Sequence, residues 1–215
     1  MRLHGYVRGS ATWRVRIALA LKGLQAEHGL PPATPDRPGL DTYWPVAPLG
    51  AAPAITTDDG NTFHQSLAIV EWLEERWPTP PLLPPDLAGR ARVRGFAFAI
   101  ACDVHPMQTG RVLRRLAGLG LSDAQIRGWV RHSLDEGLEA CEALLSSADG
   151  PFCFGAVPTM ADICLVPQLH LARELGCSLT FPRLLAAEAA CLTLPAFSAT
   201  RPPPAAPMEL PSDAR

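Results

Sequence analysis

Five prolines fall within one short stretch, at Pro78, Pro80, Pro81, Pro84 and Pro85. Proline has no N–H to donate and fixes its own φ, so neither a helix nor a central strand runs through such a segment. The stretch therefore divides the chain. Before it, short apolar runs are separated by glycine and proline clusters. After it, apolar residues recur at helical spacing, which predicts helices over about 86–117, 122–147, 159–176 and 182–191 and no strand. The expected organisation is a mixed domain over 1–77, a linker over 78–85 and a helical domain over 86–215. The Pro/Ala-rich end from Pro202 to Arg215 reads as a loose tail.

The front part resolves into short elements. Arg2 to Val7 is predicted as a first strand, and Trp13 to Gly23 as a helix with Val15, Ile17, Ala18, Leu19 and Leu21 apolar and Gly23 as its stop. A second strand is expected over Glu27 to Leu30, after which Pro31, Pro32, Pro35, Pro38, Pro45 and Pro48 interrupt any regular element. Pro53 to Thr56 and Thr62-Phe63 read as two strands joined at Asp58-Asp59-Gly60-Asn61. Ser66 is placed to cap a helix that buries Leu67, Ile69, Val70 and Leu73. The order is βαβ-ββα followed by helices: α/β plus all-α. The strand, tight loop and helix start around residues 9–13 gather backbone N–H groups at one point.

Charge and cysteine usage exclude several functions. There are 19 basic and 21 acidic residues, a net charge of -2, so no basic face for nucleic acid is expected. The longest apolar run, Phe96 to Cys102, is far too short to span a membrane. The start, Met1-Arg2-Leu3-His4-Gly5-Tyr6, carries no secretory pattern, and a cytoplasmic location is expected. All six cysteines follow residue 100, in apolar surroundings and without a C-x-x-C pair, which predicts buried, reduced thiols. His4, His28, His64, His132 and His170 form no metal-spaced set, so no metal is expected. Gly118 and Gly120 follow no strand and make no phosphate loop.

Five segments taken in order resemble one family. Trp13-Arg14-Val15-Arg16-Ile17-Ala18-Leu19-Ala20-Leu21-Lys22-Gly23-Leu24 and His64-Gln65-Ser66-Leu67-Ala68-Ile69-Val70-Glu71-Trp72-Leu73-Glu74-Glu75 look like two helices of the zeta-class glutathione transferases. Pro78 to Pro84 matches that class's linker, and Asp103-Val104-His105-Pro106 and Thr159 to Gln168 match its second domain. The class includes maleylacetoacetate and maleylpyruvate isomerases. The resemblance covers roughly residues 1–200 and implies the glutathione transferase fold: an N-terminal thioredoxin-like domain and a C-terminal helical domain.

The resemblance also implies a site, residue by residue. Ser66, with Gln65 beside it, takes the γ-glutamyl carboxylate at a helix N-terminus. Ala52, followed by Pro53 where the family has a cis-proline, offers its backbone to the cysteinyl part; the residues alone leave the isomer open. His105 contacts glutathione, and Gln108 can bind its glycine end. Arg8 and Arg111 match arginines for the substrate's carboxylates. Thr159 and Asp162 form a helix-capping pair whose role is folding.

The chain also departs from the pattern. Where the family has Ser-Ser-Cys or Ser-Gly-Thr, this chain has Gly9-Ser10-Ala11 followed by Thr12. Ser10 is the leading remaining hydroxyl donor to a thiolate, with Thr12 second; Ser10 acting only as a helix cap is the alternative. Glu174 stands where zeta enzymes usually have a carboxylate-binding Arg, and is expected to repel an anion. Arg173, one position along, is about 100° around the helix.

The implied activity is glutathione-dependent cis–trans isomerisation of maleylacetoacetate or maleylpyruvate type, in aromatic-compound catabolism. A small anionic substrate, glutathione as cofactor and a homodimer go with it. A transferase or peroxidase on another electrophile, and a non-catalytic binding protein on the same fold, remain open at this point.

Overall fold

The computed structural model describes residues 1–29, 51–145 and 149–204. Leu30, the proline cluster from 31 to 48 and the tail beyond 204 lie outside the described residues. β1 (Arg2–His4) pairs in parallel with β2 (Glu27–Gly29) and antiparallel with β3 (Ala54–Thr56), and β3 pairs antiparallel with β4 (Thr62–His64). The sheet order is β2-β1-β3-β4. Leu3 faces Ile55 across the ladder, and both are buried beneath α1 (Ser10–Leu21) and α2 (Ser66–Arg76), whose Val15, Ile17, Ile69, Val70 and Leu73 are also fully buried.

Two expected boundaries move, for one reason. β1 ends at His4 rather than Val7, and α1 starts at Ser10 rather than Trp13. Gly5 N–H makes the last bond toward β2, to Gly29 O at 3.1 Å, and Gly9 N–H then closes a tight turn onto Tyr6 O at 3.0 Å. A Cβ on Gly5 would lie 2.4 Å from Thr12 Oγ1. The turn can therefore sit directly on α1 only because residue 5 has no side chain.

The proline stretch is fastened on both sides. Lys22, the one lysine in the sequence, is buried at the end of α1. Its Nζ donates to Glu74 Oε2 at 2.8 Å, Trp77 O at 2.5 Å and Pro80 O at 2.9 Å. Those three bonds use all three ammonium donors, the condition under which a buried charge is tolerated. Glu74 Oε2 also accepts from Leu82 N–H at 2.9 Å, and Leu82 O accepts from Met160 N–H at 2.9 Å. Arg94 clasps Glu71 through two bonds, tying α2 to the next helix.

That helix is α3 (Leu87–Phe98), capped by Asp86, whose carboxylate accepts from Gly89 N–H at 2.7 Å. The single helix expected over 86–117 is interrupted. α3 widens into a π-type turn over Ala99–Val104, tightens into a 3₁₀ turn over His105–Gln108, and gives way to α4 (Gly110–Gly118). Pro106 supplies no N–H for a helical ladder, and the widened turn accommodates the loss. There follow α5 (Asp123–Leu144), α6 (Met160–Glu174), α7 (Pro182–Leu192) and short α8 (Pro195–Ser198). α6 carries the Thr159–Asp162 capping box and is buried on nearly every side, packed against α1 and α3.

The cysteines are all unpaired. Five are buried; Cys102 is exposed on the widened turn, which corrects the expectation that all six lie inside. Burial pushes the Cys164 thiol up to about 11 and Cys141 up to about 12, so neither is a nucleophile near neutral pH.

Candidate active site

The loop before α1 is anchored from below, where Arg16 Nη2 donates to Val7 O at 2.8 Å. Trp13 N–H makes the first helical bond, to Gly9 O at 2.9 Å, so the N–H groups of Ser10, Ala11 and Thr12 precede the ladder. Gly9, not Ser10, holds the N-cap position. The Ser10 hydroxyl instead lies 3.2 Å from His105 Nδ1, a contact between residues 95 apart in sequence. This corrects the reading of Ser10 as a cap alone.

Desolvation, reinforced by the nearby Arg14 cation, lowers the His105 pKa to about 3. The imidazole is therefore neutral under physiological conditions. With hydrogen on Nδ1 it donates to Ser10 Oγ and leaves the serine hydrogen available to a third atom. Thr12 is not equivalent. It is 1% exposed, its Oγ1 has no partner, and it is packed against Gly5. Its hydroxyl is buried against Gly5, so of the two hydroxyls named from the sequence it is Ser10 that meets His105.

A second helix start lies nearby in the same half. Gln65 occupies the N-cap position of α2 with φ of 66°, a left-handed conformation that costs a non-glycine residue about 1–2 kcal/mol. Ser66 is the first helical residue and makes no side-chain cap; its Oγ accepts from Arg14 Nη1 at 3.3 Å. The expected capping role of Ser66 is thus replaced by a contact with α1. No motif in the sequence marks Arg14 as a site residue. The signal was present: Arg14 shares a helical face with Ala18 and Leu21, at positions where a solvated arginine does not belong.

The remaining candidates fall into place differently. The Ala52–Pro53 peptide is cis, with Ala52 half-buried beside β3. Gln108 is 7% exposed, and both of its amide atoms lack partners. Arg111 is exposed on the first turn of α4. Arg8 is engaged: its Nη2 donates to Glu174 Oε1 at 2.6 Å, and His170 Nε2 lies 3.5 Å from the same oxygen. Glu174 is therefore not a bare anion but the partner of Arg8, and its charge meets an incoming carboxylate only when that pair opens. Arg173 is held by Glu188 and does not substitute for an arginine at 174.

The arrangement presents two helix N-termini, a serine hydroxyl held by a neutral histidine, and buried donors without acceptors at Arg14 and Gln108. It suits a peptide-like ligand carrying a thiol and carboxylates. Among the described residues no group of three or more His, Cys, Asp or Glu could hold a metal ion, and no helix is long and apolar enough to cross a membrane.

Residues 3–81 match the family model described as glutathione S-transferase, N-terminal domain, and residues 123–188 the one described as glutathione S-transferase, C-terminal domain. The maleylacetoacetate isomerase of Pseudomonas aeruginosa is 40% identical over 207 residues, covering 94% of this chain and 96% of that protein. A holo structure of maleyl pyruvate isomerase, described as a bacterial glutathione S-transferase in the zeta class, superposes with a TM-score of 0.88 at 38% identity, covering 94% and 97%. A maleylacetoacetate isomerase from Anaeromyxobacter dehalogenans with GSH bound in its active site superposes with a TM-score of 0.82 at 40% identity, covering 94% of each chain.

Proposed function

The chain belongs to the zeta class of the glutathione S-transferase family, and from that membership we propose that it is a glutathione-dependent cis–trans isomerase of maleylacetoacetate or maleylpyruvate type. The observation that carries the reading is the contact between Ser10 and neutral His105 at the open N-terminus of α1.

The residues present fit glutathione. Ser66 and Gln65 would hold its γ-glutamyl carboxylate at the start of α2, the Ala52 backbone its cysteinyl part, and the unpartnered amide of Gln108 its glycine end. When bound, glutathione would supply a thiolate, a reversible nucleophile toward the substrate's cis double bond. Ser10 donates its hydroxyl hydrogen toward the sulfur position, and His105 holds the serine oxygen from behind. The N–H groups at the start of α1 add positive potential there. Arg8 and Arg111 serve the substrate's carboxylates, Arg8 by exchanging Glu174 for the incoming anion.

The same reading takes residues 1–77 as the glutathione-binding domain, 78–85 as its linker and 86–215 as the substrate domain. It makes the working unit a cytoplasmic homodimer, for which chromatographic mass is the check. One observation favours the second reading, a transferase on another electrophile: Arg8 is already occupied by Glu174. Maleylpyruvate turnover followed by absorbance with and without glutathione separates the two. Isomerisation strictly dependent on glutathione supports the isomerase; conjugation of a model electrophile without isomerisation rejects it.

A further inference from the structure

Arg14 is 1% exposed, and its guanidinium sits where α1, the start of α2 and the helical half meet. One N–H, from Nη1, reaches Ser66 Oγ at 3.3 Å. Nε and Nη2 reach no acceptor. No carboxylate among the described residues pairs with it; the nearby ionisable groups are the Cys164 and Cys102 thiols and His105. A lone cation in a protein interior is costly, and breaking such a charge from its partner is strongly destabilising. A fold that keeps one, with donors to spare, holds it ready for an anion.

The geometry identifies where that anion enters. Because Arg14 donates to the Ser66 oxygen, the serine hydrogen is turned to another acceptor. Ser66 is also the first residue of α2, where backbone N–H groups are open. We propose that Arg14 is the positioning residue and buried counter-charge for the carboxylate at the γ-glutamyl end of glutathione, acting through Ser66. The proposal rests on the glutathione reading of this site. It makes a demand that a packing role does not: Arg14 must matter for one carboxylate of the ligand and not for the rest of it. Its planar fork serves this better than an ammonium would, since one N–H is committed to Ser66 while the delocalised charge stays in place.

The test is calorimetric binding of two probes, glutathione and 4-aminobutyryl-cysteinylglycine, which lacks only the α-carboxylate of the γ-glutamyl residue. The unaltered protein should bind glutathione at least tenfold more tightly. In Arg14→Lys and Arg14→Gln that ratio should fall toward one, because affinity for glutathione drops while affinity for the analogue stays within twofold. The KM for glutathione should rise more than kcat falls. Should either variant fail to fold, the unaltered protein still decides: the Arg14 Nε–H NMR resonance should shift on adding glutathione and not on adding the analogue. Equal losses for both probes, an unchanged ratio, or equal resonance shifts would overturn the role of Arg14. If the unaltered protein binds neither probe, the glutathione reading itself is overturned, and this proposal with it.

Discussion

Replacing Glu174 by Gln should improve the use of a dianionic substrate. Arg8 and Glu174 meet at 2.6 Å, with side-chain exposures of 38% and 19%. An ion pair this accessible contributes about 0–1 kcal/mol, so a substrate carboxylate can displace Glu174 from Arg8 at small cost. The larger penalty is repulsion after the exchange. The displaced carboxylate stays on the last turn of α6, near the incoming anion. Two unit charges roughly 6 Å apart repel by about 0.7–3 kcal/mol for an effective dielectric between about 80 and 20. A central value of about 1.4 kcal/mol is a factor of ten in binding. Glu174→Gln keeps the shape and a hydrogen-bond acceptor while removing the charge. The KM for a dicarboxylate substrate should therefore fall by about tenfold, with kcat and the KM for glutathione within about twofold. Steady-state isomerisation at saturating glutathione and low ionic strength measures this. Added salt should narrow the gap between the two proteins, because the remaining interaction is partly screened. An unchanged KM would refute the competition between Glu174 and the substrate. A raised KM would show instead that Glu174 holds Arg8 where the substrate needs it.

Other outcomes rest on the same geometry. Ser10→Ala should cut turnover at least tenfold, with Thr12→Val as the control that leaves it within about twofold because the threonine hydroxyl is sealed; equal losses would remove the distinction between the two hydroxyls. His105, with a folded pKa of about 3 against 6.5 unfolded, binds fewer protons when folded. Its contribution to stability is therefore complete above about pH 6.5 and is lost as pH falls toward 3, by at most about 1.4 kcal/mol per pH unit. Urea unfolding of His105→Gln should show a shallower acid dependence than the unaltered protein, and matching slopes would contradict the neutral imidazole. Lys22→Met leaves the Glu74 carboxylate and the Trp77 and Pro80 carbonyls without their buried donor. It should cost about 3–5 kcal/mol in urea unfolding, and a loss below about 1 kcal/mol would mean that the proline stretch is held by packing alone.

The order of elements was legible because it rests on periodicity. Leu67, Ile69, Val70 and Leu73 mark α2 in the sequence and are buried in the fold. What periodicity does not carry is the point at which the backbone changes direction. The start of α1 depends on Gly5 lying against Thr12, a contact between a loop and a helix face. The break near residue 105 was visible as Pro106, yet apolar residues continue at helical spacing on both sides, and that pattern argued for one helix. The site was legible only as separate residues. Ser10 and His105 can each be named from the sequence, but not the 3.2 Å between them, and the sequence shows the charge of Glu174 without its pairing to Arg8.

Polar residues on apolar faces separate most clearly into structural and functional ones, by a criterion that sequence cannot apply. Lys22 and Arg14 are both cations on α1 or at its end, both buried, and both interrupt an apolar stripe. Lys22 has an acceptor for each of its three donors, including a carboxylate, so its charge and its hydrogen bonds are balanced within the chain. Nothing is left for it to bind, and its effect is confined to joining α1, α2 and the proline stretch. Arg14 has one acceptor, a neutral hydroxyl, and no carboxylate partner among the described residues. Equal burial thus leaves one charge satisfied and the other open. A fold selected for stability alone gains from replacing the open one with a well-packed apolar side chain. An unbalanced guanidinium against the serine at the start of α2 is instead the residue whose balance arrives with the ligand.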